Sequence, residues 1–395
     1  DRAEECYLLA LEIAEKNSDR KQFVIFQAME YLKNFYEERE QFEKEEPLLF
    51  RELALYEKTY GENSPEVVFL YLQLAFRYRR HDDFEKEERH LSQAELILES
   101  SPEKERSESV HNMIILAGTY QEKGKHAEAE KWFKQAIAVS EKAFGPNHLQ
   151  TARTISGLGN MYYWREQYVQ AEPLFVRSLK IIEKAKGKNH HEVAENCTFL
   201  ARLYHSQRRQ SQAEFFYTRA IAIWEKMPNF EGKGFSEYHY AYCLNNLAEL
   251  YLSQGRYTNV EPLLTKALAT LGKSENTGCS FTAIVLGNIG VSHFCQNHYM
   301  LAESSFQRAL AIIEEHYEPE SSQYGPFLNN LTVLYRKMGR DDAIKVHGKS
   351  IAGKIFVPEK SGNETGISVN SLLYSLKLNT GWRMALLREA ATGKA

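Results

Sequence analysis

The sequence predicts an all-α protein built as a solenoid of tandem helix pairs. Three observations carry that prediction. Apolar positions recur at three- and four-residue spacing with little strand-like alternation. Only 10 prolines interrupt 395 residues. Above all, the chain repeats itself with a period of 42 residues, the mark of stacked units rather than of one closed core.

The elements follow in order. Residues 1–17 read as the second helix of a truncated repeat, and residues 18–352 as eight helix pairs. In the first helix of each pair one packing position recurs as Leu32, Leu74, Leu116, Leu158, Leu200, Leu247, Ile289 and Leu331, in steps of 42 with a single step of 47. Four residues later stands Tyr36, Tyr78, Tyr120, Tyr162, Tyr204, Tyr251 or Tyr335, with His293 the one departure. Directly after the leucine most units place a small residue (Ala75, Ala117, Gly159, Ala201, Ala248, Gly290), which allows two helices to approach closely.

Second helices have columns of their own. Ala3, Ala129, Ala171, Ala213, Ala302 and Ala343 open them, and Tyr7, Phe133, Phe175, Tyr217, Leu264 and Phe306 follow on the same face. A small residue comes three later, as at Ala136, Ser178, Ala220, Ala267 and Ala309. Glu45 and Glu87 replace the opening small residue, so the first two pairs are divergent. GRDDAIKVHGKSI (339–351) is one residue short and reads as a terminal unit. The step of 47 places five extra residues in an aromatic-rich loop over 227–240. Residues 353–366 read as a linker and 367–395 as a helical tail that caps the last repeat or docks elsewhere, on this chain or on a partner.

These columns resemble the tetratricopeptide repeat in a 42-residue form. The segment LNNLAELYLSQGRYTNVEPLLTKAL (244–268) is similar to repeats of the kinesin light chain and nephrocystin type, a type common also in bacterial signalling and assembly proteins. The resemblance implies a right-handed superhelix with first helices on the concave side and second helices on the convex side. It further implies that first-helix positions opposite the packing columns line a ligand groove. Mapped through the register, the expected peptide-binding residues are Arg79 and Arg80; Arg153, Asn160, Tyr163 and Trp164; Arg202 and His205; Asn245; Phe294; and Asn329 and Arg336. Glu195, Tyr242 and Glu249 fall on the same face. Arginine offers carboxylates a planar fork of donors, asparagine can bracket a peptide backbone, and tyrosine or tryptophan presents contact area at low entropic cost.

One stretch looks reactive: KGKNHHEVAENC (186–197), with two histidines, two glutamates and a cysteine. It aligns at 42 residues with FGPNHLQTA (144–152), and YGENSPEVV (60–68) fits the same frame. Glycine suits the exit from one helix, and Asn or Ser the start of the next. Pro65 suits a first turn. The histidines therefore read as a helix-start signal, and Cys197, in register with Met113, Ile155 and Leu244, as a core thiol. Asn246, Asn288 and Asn330 are expected to bond neighbouring backbone. No metal, cofactor or catalytic group is expected, and GKS (272–274) lacks the upstream glycine of a phosphate loop.

Bulk properties agree. A net charge of −4 gives no signal for nucleic acid. Residues 1–60 carry 15 acids against 9 bases, and residues 325–395 carry 5 against 11, so the ends are oppositely charged. No apolar run approaches a membrane span. Five scattered cysteines without a CxxC pair favour a reducing compartment, hence the cytoplasm. The opening DRAEECYLLA, lacking a methionine or an apolar leader, reads as trimmed. The expected function is that of a non-catalytic adaptor or scaffold holding an extended acidic or aromatic peptide of a partner protein. The alternative is an assembly factor that docks folded subunits through its loops and convex face.

Overall fold

The computed structural model describes residues 2–16, 22–39, 41–100, 109–227, 234–272, 279–317 and 324–340. Among these residues there is no strand. A lone helix α1 (Arg2–Lys16) is followed by α2 (Gln22–Glu38) and α3 (Phe42–Tyr60), α4 (Pro65–Arg80) and α5 (Phe84–Ser100), and α6 (Val110–Glu122) and α7 (His126–Phe144). Then come α8 (Leu149–Trp164) and α9 (Tyr168–Lys186), α10 (His191–Ser206) and α11 (Gln210–Glu225), α12 (Gly234–Ser253) and α13 (Val260–Leu271), and α14 (Cys279–Cys295) and α15 (Tyr299–His316). The last described helix is α16 (Gly325–Lys337). The second helix expected after it, the linker and the tail lie outside the described residues. So does 228–233 of the insertion, and α12 begins at Gly234, so the last seven residues of the expected loop over 227–240 are helical.

The chain forms two compact units, Asp1–Met161 and Tyr162–Ala395, with the division inside α8. In the first, α4 touches α5 and α6; in the second, α10, α12, α14 and α16 touch one another in succession as well as their own partners. First helices thus form a continuous layer through the second unit.

The packing columns explain this. Leu32, Leu74, Leu116, Leu200 and Leu331 are buried, and the aromatic column is buried at every member, His293 included. Ala129, Ala171, Ala213 and Ala302 are buried beneath them, as are Ser178 and Ala309. Ile289 is only partly covered. Why the neighbouring position must be small is plain at Gly290, where an added Cβ would stand 2.5 Å from the Phe306 ring. On α1, which has no preceding helix in the described residues, Leu8, Leu9 and Ile13 are exposed.

Glu45 and Glu87 are buried where other repeats place alanine, and each has a cation. Arg77 Nε meets Glu45 at 3.0 Å, and Lys123 Nζ meets Glu87 at 3.1 Å. Lys33, 4% exposed, fills the small-residue position of the first pair and reaches Glu52 at 2.5 Å and Glu30 at 2.8 Å.

A further device joins successive repeats. Glu4, Glu46, Glu88, Glu130, Glu172, Glu214, Glu261 and Glu303 form an acidic column with the same steps. In the second unit Tyr204 and Arg209 donate to Glu172 at 3.0 and 2.6 Å, Tyr251 and Arg256 donate to Glu214 at 2.9 Å each, and Tyr335 and Arg340 donate to Glu303 at 3.0 and 2.8 Å. In the first unit Tyr36 and Lys44 do the same to Glu4. The cation also lies over the tyrosine ring, 4.2 Å away for Arg209 and 4.0 Å for Arg256. Glu261 instead faces His293 and His298, and His293 Nδ1 is buried without a hydrogen-bond partner among the described residues.

Candidate functional site

The reactive-looking stretch resolves into helix boundaries. Gly61, Gly145 and Gly187 end α3, α7 and α9 with φ of 94°, 98° and 85°, the left-handed exit that favours glycine. Ser64 accepts from Val67 N at 3.3 Å and Pro65 occupies the first turn. In the two Asn-His loops the cap is the histidine, not the asparagine: His148 Nδ1 accepts from Gln150 N at 3.1 Å, and His190 Nδ1 from Glu192 N at 3.3 Å. Possible donor atoms of His190, His191 and Glu192 do converge, within 4.8 Å of one another. Yet His190 Nδ1 is engaged in the cap. The positive end of the α10 dipole opposes a cation there. Cys197 is fully buried, and burial pushes its thiol up to about 12.

The expected groove residues divide sharply. Arg79 pairs with Glu122 at 2.7 Å and Arg80 with Glu37 at 2.8 Å, so both are committed within the first unit. Arg153 is exposed and Asn160 half-buried, with its Oδ1 buried and unbonded. In the second unit Phe294 packs its ring 5.8 Å from Tyr299, Asn329 is half-buried and Arg336 exposed. Asn245 is buried: its Nδ2 donates to Glu249 at 3.1 Å, and its Oδ1 accepts from Asn288 at 2.8 Å. Asn246 bonds the Tyr242 carbonyl at 2.8 Å, as expected. Asn288 departs from that expectation. It bonds the side chains of Asn245 and Glu249, because the asparagine and carboxylate on α12 offer it acceptors.

One set does assemble. Tyr163 and Trp164 at the end of α8, Arg202 on α10 and Tyr242 on α12 form a cage in the second unit. The Arg202 guanidinium lies 4.7, 5.2 and 5.8 Å from the Tyr163, Trp164 and Tyr242 rings. Arg202 is 9% exposed, and its Nη2 is buried without an acceptor. Taking a guanidinium out of water without a counter-ion costs several kcal/mol. Three ring faces at about 0.5–2 kcal/mol each offset part of that. Beside the cage opens a cleft of about 500 Å3, lined among others by Tyr163, Arg202, His205, Ser206, Asn246 and Glu249. Tyr163 and Ser206 share a hydroxyl contact of 3.2 Å at its rim, and at its base Tyr217 is held as a neutral phenol by burial, far above its ordinary range. The register explains why these groups meet. Arg202 and Glu249 each stand two residues after the packing leucine of successive first helices. Glu249, on the expected face but not among the expected binding residues, lines the same cleft.

Comparison with known proteins fits this architecture. One tetratricopeptide-repeat family model matches residues 109–163 and 152–226, and a second matches residues 243–277. With the tandem helix pairs described above, these matches make the chain a tetratricopeptide-repeat protein. A search of curated protein sequences returned no match. Among solved structures, the chain is similar to a signal transduction ATPase with numerous domains, which carries a tetratricopeptide repeat sensor, from Pyrococcus horikoshii. The two are 17% identical with a TM-score of 0.55, over 88% of this chain and 52% of that one. BtubC (BKLC) from P. vanneervenii is 19% identical with a TM-score of 0.48, over 66% of this chain and 94% of that one. A putative kinesin light chain of nearly identical repeats from Podosopora anserina is 19% identical with a TM-score of 0.45, over 55% and 100%. At such identities the likeness is one of fold. No described helix is long and apolar enough to cross a membrane.

Proposed function

We propose that the chain is a non-catalytic scaffold that holds an extended peptide segment of a partner protein along its layer of first helices. The segment would carry acidic and aromatic side chains. The observation that carries this reading is the caged Arg202, a buried cation with no carboxylate of its own beside an open cleft. An acidic side chain from outside would supply the missing acceptor. The rings of Tyr163 and Trp164 would offer rigid contact area to an aromatic neighbour. Fluorescence polarisation against labelled extended peptides tests it. Acidic–aromatic peptides should bind, and the variant Arg202→Ala should weaken the best of them at least tenfold. Unchanged affinity in that variant removes the groove from the account.

A second reading has support on the opposite faces. Val169, Phe215 and Met300, all on second helices of the second unit, are 82%, 61% and 69% exposed. They favour docking of a folded subunit against the outer helices. A pull-down that survives Arg202→Ala but is lost in Phe215→Ser/Met300→Ser would support this reading over the first.

A further inference from the structure

The cleft beside Arg202 is not simply basic. Glu249, 6% exposed, lines it from α12, at the position equivalent to Arg202 one repeat on. Its Oε1 accepts from Asn245 Nδ2 at 3.1 Å and from Asn288 Nδ2 at 3.3 Å, and no cation pairs with it among the described residues. Asn288 also donates to Asn245 at 2.8 Å, so the two amides hold each other and the carboxylate in place. On the other side three neutral rings hold the Arg202 guanidinium. Each charge is buried, fixed by uncharged neighbours and left without a counter-charge, yet both line one cleft. Side chains kept only for the fold would lower their desolvation penalty by pairing directly. These are held for something else.

A ligand with only an acidic group would satisfy Arg202 and bury Glu249 further, leaving that carboxylate to bear the cost. A ligand with both signs would satisfy both. We propose that this cleft reads a pair of opposite charges on one extended peptide. An aspartate or glutamate lies against Arg202, and a lysine or arginine two residues away lies against Glu249. Side chains i and i+2 of an extended segment leave the same side roughly 7 Å apart, and Arg202 and Glu249 line one cleft. The inference deepens the peptide-groove reading and rests on it.

The test uses labelled peptides of equal length and aromatic content that differ only at two positions, two residues apart. These positions carry Glu/Lys, Lys/Glu, Glu/Ser, Ser/Lys or Ser/Ser. Binding is measured to the wild-type chain and to Glu249→Gln, whose amide oxygen still accepts from Asn245 and Asn288, with circular dichroism to check that helical content is kept. One order of the mixed pair should bind the wild type at least tenfold tighter than Glu/Ser. Glu249→Gln should abolish that advantage while leaving Glu/Ser binding as tight or tighter. If Glu/Ser matches the mixed pairs in the wild type and exceeds Ser/Ser, the two-sign reading falls and the acidic groove stands. If a mixed pair keeps its advantage in Glu249→Gln, Glu249 is not its reader and the proposal fails. If no peptide binds at all, both readings fall.

Discussion

Buried cations occur in both units, and they are treated differently. In the first, Lys33 reaches Glu52 and Glu30, and Arg77 reaches Glu37 and Glu45. In the second, Arg202 is buried but meets three aromatic rings and no carboxylate. A paired buried charge fixes how neighbouring helices sit. An unpaired one, at the wall of a cleft, keeps binding capacity in reserve. On the peptide-binding proposal, the contrast separates residues that serve the fold from one that serves a partner, although both began as a basic residue on a first helix.

The strongest way to break this comparison is to create in the first unit what exists in the second. The double variant Glu30→Ala/Glu52→Ala should strand Lys33 and lower stability by about 3–5 kcal/mol, read from urea denaturation. A loss under 1 kcal/mol would mean that Lys33 tolerates solitude as Arg202 does. Next in size is the response to acid. Burial against the Trp224 ring, with His191 adding to it, pushes His239 down to about 4, and burial lowers His90, His111 and His293 as well. A histidine depressed in the folded state binds its proton more readily when unfolded. Stability is therefore full above the unfolded value of 6.5 and falls as pH drops toward 4, by roughly 2 kcal/mol for His239. Denaturation midpoints between pH 7.5 and 4.5 should decline in the wild type and less so in His239→Gln.

Smaller still is the stability effect of Arg202→Met. Losing the ring contacts and losing an unpaired charge nearly cancel, so the change should stay within about 1 kcal/mol while peptide affinity collapses. A large loss of stability would make Arg202 a residue of the fold and erase the contrast. The least effect belongs to the inter-repeat contacts at the surface. Arg209→Ala should lower stability by about 0.3–0.5 kcal/mol, and by less in 0.5 M salt, since the pair with Glu172 is screened by solvent.

Much of the fold was legible because it repeats. The leucine, tyrosine and small-residue columns stand at a fixed step, and the structure buries them almost throughout. Helix exits were legible in Gly61, Gly145 and Gly187 for the same reason. The caps were half legible: Ser64 was evident, but an imidazole nitrogen taking the cap at His148 and His190 follows from ring orientation, which spacing does not encode. The face that carries Arg202 was legible in the sequence, but not which of its side chains lie together. Arg79, Arg80 and Arg202 look alike in sequence, and only the carboxylates brought by neighbouring repeats distinguish them. The kinship of Arg202 and Glu249 was further hidden by the five-residue insertion, which breaks the simple count of 42 between them. The acidic column from Glu4 to Glu303 was in plain view, but its meaning depends on tyrosine and arginine reaching back from the following repeat.

The odd junction at Glu261 has a consequence of its own. Other junctions in the second unit join each repeat to the next with a tyrosine hydroxyl and an arginine on one glutamate, whereas here two histidines stand opposite. In a one-dimensional chain of coupled units, a boundary between melted and intact repeats settles where neighbour coupling is weakest. The helices from α14 onward should therefore melt as a block, with amide exchange rates that step up between α13 and α14.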